Sequence, residues 1–248
     1  MFWWFLNKIK NLRYIPWIIK DYIDIKKQLK KNKDFKITKI FPIVSDKTAQ
    51  SWVSSGFYFY QDLLAARRIF ENHPEKHVDI GSRIDWFVAH VASFREIEVF
   101  DIRPQKSQVK NIKYKQADLM ELPEWLTNYT DSISSLSVIE HFGLWRYSDP
   151  IDINWHIKWL NNIYQILKKW GKFYFSVPIG PQRIEFNAHR VFDIKYLSKL
   201  FEGKFKIDSF SYVDDEWDLH ENVYLTKEHI HNNFWCIFAN GIFELTKI

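Results

Sequence analysis

The chain reads as an α/β fold in which a largely parallel sheet is covered on both faces by helices. Three observations predict it. From residue 77 onward, short apolar runs alternate with helical patterns, the spacing of parallel strands joined by crossover helices. The first such unit, HVDIGSRIDWFVAHVASFREIEVFDIRP over residues 77–104, is strand, tight turn, helix, strand. Each of its strands closes on an acid, Asp79 and Asp101, as in half of a nucleotide-binding unit.

The elements follow in order. Residues 1–36 form a leader with apolar residues at Phe5, Ile9, Leu12, Ile15, Ile19, Tyr22 and Leu29, close to helical period. Lys8, Lys10 and Arg13 fall between them, and Pro16 is expected to kink or divide the helix. The leader holds ten Lys/Arg against three Asp (+7), so the remainder carries 25 basic and 27 acidic groups (−2). The net charge of +5 therefore belongs to the leader, and the body has no nucleic-acid signature. Aromatics on one face and lysines on the other suit an interfacial helix on an anionic membrane. They equally suit a helix docked on the body or on a second copy of the chain, a homo-oligomer. Residues 36–44 read as an extended link, which sets the expected division at 1–36 and 37–248.

Residues 61–70 read as a helix with Leu63, Ala66 and Phe70 on one side, and residues 77–80 as the opening strand. After Asp101 come a strand at 111–115, a turn at 117–119, a short helix at 121–126 interrupted by Pro123, and a strand at 131–138. A helix spans 152–167. Residues 168–178 turn on Gly171 into another strand, and 193–200 is helical. Residues 204–213 and 233–246 read as a final antiparallel pair, with the acidic DDEWDLHEN between them as a solvated loop beside the pocket.

Apolar residues at 46% and charged residues at 26% describe an ordinary globular protein long enough for a substantial core. Aromatics reach 18%, with 12 Trp, which supplies a bulky core and stacking surfaces. The single cysteine, Cys236, excludes an internal disulfide and fits a reducing compartment. The apolar run from Phe2 to Leu6 is too short for a signal peptide, and no stretch spans a bilayer. The expected location is cytoplasmic, with the leader at the inner face of the membrane if it binds lipid. His220, His229, His231 and Cys236 match no zinc spacing, so no metal is expected.

Ligands of such sheets sit at the carboxyl ends of the strands, where strand order reverses. A dinucleotide turn would read G-x-G-x-x-G. Here only Gly81 is kept, Arg83 takes the second glycine's place and Trp86 the third's. A Trp where helix and strand must pack closely argues against NAD or FAD. Ser82 and Asp85 have capping-box spacing ahead of Ile84, Phe87, Val88 and Val91, which aims a helix N-terminus at whatever lies over Gly81. A ligand with a carboxylate but no pyrophosphate needs less glycine, and S-adenosylmethionine is one. Its ammonium needs an acid, Asp79 or Asp85. Asp101, 20 residues beyond Gly81, can accept from both hydroxyls of a ribose. Asp118, in QADL, is positioned for an adenine amino group.

VDIGS, VFDIRP, QADL and SVIEH resemble the successive motifs of class I S-adenosylmethionine-dependent methyltransferases, and LKKWGKFYFSVP resembles their fifth-strand segment. More narrowly, HVDIGSRID, FVAHVASFR, DIRP, SVIEHFGLWRY and HRVF resemble a bacterial family catalogued as domain of unknown function 268, met near surface-polysaccharide genes. The resemblance implies a Rossmann-like methyltransferase fold of seven mostly parallel strands with an antiparallel last one. It implies an S-adenosylmethionine site from Asp79, Gly81, Asp101 and Asp118, with Ser137 to His141 flanking the sulfonium and the acceptor. It also implies O-methylation of a surface-glycan or nucleotide-sugar precursor. An acceptor hydroxyl needs a base; His141 and, after the fifth strand, His189 are the candidates. Arg146, Arg183 and Arg190 are candidate clamps for a sugar phosphate. The rival is a methyltransferase-like scaffold without turnover that serves polysaccharide assembly, favoured by Arg83 and Trp86.

Overall fold

The computed structural model describes residues 14–31, 34–41, 56–105, 108–146 and 150–248. It divides into two compact units, Met1–Val53 and Ser54–Ile248; the boundary expected at residue 36 falls inside the first. In the first unit, helix α1 (Ile15–Leu29) carries Pro16 in its opening turn. There the missing N–H is an orphan in any case and φ is already helical, so Pro16 sits at the start of this helix; whether it divides a longer one falls on residues outside those described. Phe5, Ile9 and Leu12 lie outside the described residues.

In the second unit a long helix, α2 (Phe57–Asn72), precedes the first strand. The strands are β1 (His77–Ile80), β2 (Ile97–Asp101), β3 (Ile112–Gln116), β4 (Thr130–Leu136), β5 (Leu167–Ile179), β6 (Arg183–Glu185), β7 (His189–Val191), β8 (Phe205–Val213), β9 (Leu219–His220) and β10 (Ala239–Lys247). One sheet has the order β3-β2-β1-β4-β5-β10-β8-β9, and β6 pairs only with β7 in a separate hairpin. Pairs among β1 to β5 are parallel. β10 runs antiparallel to both β5 and β8. The sheet has eight strands where seven were expected, because the acidic loop contributes the two-residue edge strand β9. Asp214 organises that loop: its carboxylate accepts the Glu216 and Asp218 amides and pairs with His220 at 2.7 Å.

Helices cover both faces. On one, α4 (Trp155–Ile166) and α5 (Ile194–Phe201) bury Trp159, Leu160, Ile163, Leu197 and Phe201 against Val78, Ile133, Phe173 and Phe175. On the other, α2 and the helical segment α3 bury Ala65, Ala66, Ile69, Phe87, Val88 and Val91 against Ile97, Val99 and Tyr174. α3 is a π-helical turn, Ile84–Val88, continuing as Ala89–Ala92. β5 shows the two-sided demand directly, sending Phe173 and Phe175 to the first core and Tyr174 to the second. Cys236 is a buried core residue near α6 (Lys227–Asn232), where His229 stacks on Phe234 at 4.4 Å.

The buried face of α2 differs from expectation. Leu63 and Phe70 are about half exposed, while Gln61 and Asp62 lie inside. Gln61 is affordable there because its Oε1 accepts from Ser137 Oγ (3.0 Å), Ser176 Oγ (2.7 Å) and Asn240 Nδ2 (3.0 Å).

Candidate active site

Sheet order reverses between β1 and β4, and the residues leaving these strands form a crevice. Gly81 follows β1 at φ 75°. A Cβ there would lie 2.8 Å from Val138 Cγ1, so only glycine lets the turn after β4 close over the turn after β1. Ser137, itself left-handed at φ 55°, makes that second turn and leads into the 3-10 turn Ile139–His141.

Asp118, Asp101, Gly81 and Ser137 leave β3, β2, β1 and β4, four adjacent strands. The topology thus lines up these sequence-predicted residues along one edge of the sheet. Their side chains are engaged to different degrees. Asp79 is fully buried, its Oδ1 accepting from Ser134 Oγ (2.6 Å) and Ser82 Oγ (2.8 Å) and its Oδ2 from the Ser82 amide (3.0 Å). Burial pushes its carboxyl up to about 6 against the pull of these donors. Asp101 accepts from Arg103 Nε (2.9 Å) and Nη2 (2.6 Å). Burial raises its pKa, but the Arg103 bonds outweigh that and hold it below the ordinary value. Asp118 is exposed and closes its turn by accepting the Met120 amide at 2.9 Å.

Ser82 and Asp85 do not form the expected cap. Ser82 turns its hydroxyl back to Asp79, and Asp85 pairs with Arg83 at 2.7 Å in the open. A buried carboxylate needs donors that water cannot supply, whereas exposed helix amides are satisfied by water. The π-helical start also turns Trp86 outward. Arg83 lies over its ring at 4.6 Å, and Tyr58 meets it edge-on at 5.1 Å.

Beside Ser137 opens a cleft of about 640 Å³. Its aromatic walls come from the start of α2 (Phe57, Tyr58, Phe59), from Trp86, and from Trp217 and Phe238. Trp217, in the acidic loop, stacks on Phe57 at 4.4 Å. Asp62, Glu140, His141, Arg146 and His189 supply the ionisable groups, together with Asp85 and His90. The cleft thus brings together five predicted residues: Asp85, Ser137, His141, Arg146 and His189.

The two acids that sequence reasoning missed are the most perturbed groups here. Glu140 is 2% exposed, its Oε2 has no hydrogen-bond partner among the described residues, and burial pushes it up to about 8. Asp62, 4% exposed, takes one hydrogen bond, from Gln61 Nε2 (3.0 Å), and burial pushes it up to about 7. Because three donors fix Gln61 Oε1, its amide can only present nitrogen to Asp62. A signal existed for Glu140, which sits inside SVIEH beside His141. For Asp62 there was none, since the groups that fix its partner Gln61 come from distant strands.

The histidines are partly engaged. His141 Nδ1 lies 2.8 Å from the Ala188 carbonyl and 3.0 Å from Arg146 Nη1, and its Nε2 faces Glu140 Oε1 at 3.6 Å. His189, on the hairpin strand β7, stands 6.2 Å from His141 between ring centroids. Its Nε2 has no hydrogen-bond partner but lies 3.3 Å from Glu185 Oε2, and burial lowers its pKa. The three arginines separate. Arg146 lines the cleft and donates to the Ala188 carbonyl at 2.8 Å. Arg183 pairs with Glu185 at 2.8 Å and does not line the cleft. Arg190 is buried and donates to the Phe142 and Ile153 carbonyls, stapling the hairpin to the segment after β4.

This strand order, with β10 inserted antiparallel between β5 and β8, is that of the Rossmann-like methyltransferase fold. Solved structures share it at low identity. A Burkholderia thailandensis 1,6-didemethyltoxoflavin N1-methyltransferase, with S-adenosylhomocysteine bound, is 14% identical over 75% of this chain and 78% of its own, at a TM-score of 0.55. The N-methyltransferase NodS of Bradyrhizobium japonicum, also with S-adenosylhomocysteine, is 9% identical over 77% and 87%, at 0.50. The [4+2]-cyclase SpnF is 13% identical over 79% and 88%, at 0.51. No curated protein matches the sequence. Residues 86–237, more than half of the chain, match the family described as "Caenorhabditis protein of unknown function, DUF268", and the chain belongs to that family. The description names Caenorhabditis, so the bacterial association read from the sequence finds no support in it.

Proposed function

We propose that the chain is an S-adenosylmethionine-dependent methyltransferase, with the cofactor along the strand ends from Asp118 to Ser137 and the acceptor in the aromatic cleft. The succession Asp118, Asp101, Gly81, Ser137 on adjacent strands, with a cleft beside its last member, carries this reading. S-adenosylhomocysteine in two proteins of the same fold supports it. Asp101 would hold the ribose hydroxyls once the exposed Arg103 side chain swings aside. Asp118 would take the adenine amino group. With Asp79 buried and closed by serines, the ammonium falls to the exposed Asp85, which would exchange Arg83 for it. When bound, the cofactor supplies an electrophilic methyl group, and alignment of the acceptor supplies much of the rate. An oxygen of a glycan or nucleotide-sugar precursor is the acceptor the family resemblance implies. Its proton would pass toward His141 or to Glu140, whose Oε2 has free capacity. S-adenosylhomocysteine should raise the melting temperature of the chain, and Asp101→Ala should remove the rise. An undiminished rise in the variant would refute the ribose assignment.

A second reading, a scaffold without turnover in polysaccharide assembly, is favoured by one observation: Asp79 and Asp101 are both closed by donors of the chain itself. It predicts no response to the cofactor. For the leader we propose contact with anionic lipid. No helix among the described residues is long and apolar enough to cross a membrane, but α1 exposes Ile15, Trp17, Ile19, Ile23 and Ile25 and carries Lys26 and Lys27 in its last turn. Equal binding of the full chain and of a form lacking residues 1–36 to anionic liposomes would refute it.

A further inference from the structure

The cleft is built unusually for a neutral ligand. Two buried carboxyls, Asp62 and Glu140, line it, and among the described residues they receive between them one side-chain hydrogen bond, from Gln61. The cationic side chain on its wall, Arg146, is turned to the Ala188 carbonyl and His141. Asp85 is already matched by Arg83. Arg146 lowers the Glu140 carboxyl, but by less than burial raises it, and the walls, Phe57, Trp86, Trp217 and Phe238, are ring faces and edges of the kind that attract a further positive charge.

We propose that the acceptor held in this cleft is an amine, bound as its ammonium ion against Glu140 and Asp62 and enclosed by the aromatic walls. The proposal rests on the methyltransferase reading and puts an amine in place of the oxygen acceptor that the family resemblance implies. Burial raises both carboxyls, Glu140 to about 8 and Asp62 to about 7, so an entering ammonium favours their ionised forms and releases protons to solvent. Glu140 then serves as the base. The ammonium cedes one proton to its carboxylate, and the freed nitrogen lone pair forms the N–CH3 bond as the S–CH3 bond breaks. That bonding pair stays on sulfur as a neutral thioether, the product leaves as an N-methylated ammonium, and Glu140 returns its proton to water. Gln61 acts as a positioning residue, holding Asp62 from the strand side.

The test uses calorimetry on the full chain near neutral pH, with and without saturating S-adenosylhomocysteine, titrating benzylamine and its neutral isostere benzyl alcohol. Benzylamine should bind about tenfold or more tightly than the alcohol. Its heat should vary with buffer ionisation enthalpy in the sense of proton release. Glu140→Gln should bring the two ligands to within about twofold. Asp62→Asn, which keeps the side-chain shape, should lower the preference too and serves if the first variant does not fold. Equal binding of amine and alcohol, or binding of neither, overturns the proposal, as does a preference that survives both substitutions. It is also overturned if the amine shows no preference while Glu140→Gln weakens S-adenosylmethionine but not S-adenosylhomocysteine, since the acids would then serve the sulfonium. If the amine is preferred and the preference falls in the variants, but S-adenosylhomocysteine does not bind, the cation site stands and the methyltransferase reading falls.

Discussion

Replacing Glu140 by Gln should change how stability depends on pH, in a direction and by an amount the structure dictates. The carboxyl is buried and its Oε2 unpartnered, and burial carries its pKa from the ordinary 4.5 to about 8. Below about pH 4.5 the group is neutral in folded and unfolded chains alike and contributes no pH dependence. Between the two values the folded chain keeps a proton that the unfolded chain has lost, so stability falls as pH rises, levelling off once the folded group also ionises. At about 1.4 kcal/mol per pKa unit, the swing is on the order of 5 kcal/mol. Gln is neutral throughout and keeps the shape. Urea denaturation of both proteins from about pH 4 to about pH 9 measures the difference, and every other titrating group cancels in it. The variant should gain on the wild type by several kcal/mol across this range. A difference constant to within about 1 kcal/mol would mean that Glu140 is ionised and partnered at neutral pH, and the argument built on its free oxygen would fail.

Three further outcomes are expected. Gly81→Ala places a methyl group 2.8 Å from Val138 Cγ1 at a left-handed φ, and should destabilise the chain by about 1–3 kcal/mol, read as a lowered melting temperature. Arg190→Met leaves the Phe142 and Ile153 carbonyls without their buried donor. It should lower stability by about 2–4 kcal/mol and quicken proteolysis between residues 142 and 153. Arg103→Ala frees the Asp101 carboxylate from an exposed partner; S-adenosylhomocysteine should bind it up to about fivefold more tightly, and weaker binding would mean that Arg103 itself holds the ligand.

The sheet was legible because β1 and β2 are buried and read as short apolar runs closing on acids. β1 fell on residues 77–80 as expected, β4 began within one residue of its expected start, and the antiparallel last pair was correctly anticipated. The edge strand β9 was not, being two residues of an acidic loop folded by Asp214. Local polar logic failed where burial reordered it. The Ser82/Asp85 spacing suits a cap, but a buried Asp79 carboxylate outcompetes helix amides for the serine hydroxyl. Arg190 looked like a phosphate clamp because nothing in HRVF shows that carbonyls 37 and 48 residues away would claim it. The polar face of α2 was invisible for the same reason: apolar periodicity placed Leu63 and Phe70 inward, while Ser137, Ser176 and Asn240 made room for Gln61 and brought Asp62 to the cleft.

If the strand-end succession of Asp118, Asp101 and Gly81 is a cofactor site, the chain must bind S-adenosylmethionine. Isothermal titration of the full chain with S-adenosylmethionine and S-adenosylhomocysteine should give saturable binding of one molecule per chain, with NAD giving none. Absence of heat with either ligand up to about millimolar concentration, corresponding to less than about 4 kcal/mol of binding free energy, would contradict the account.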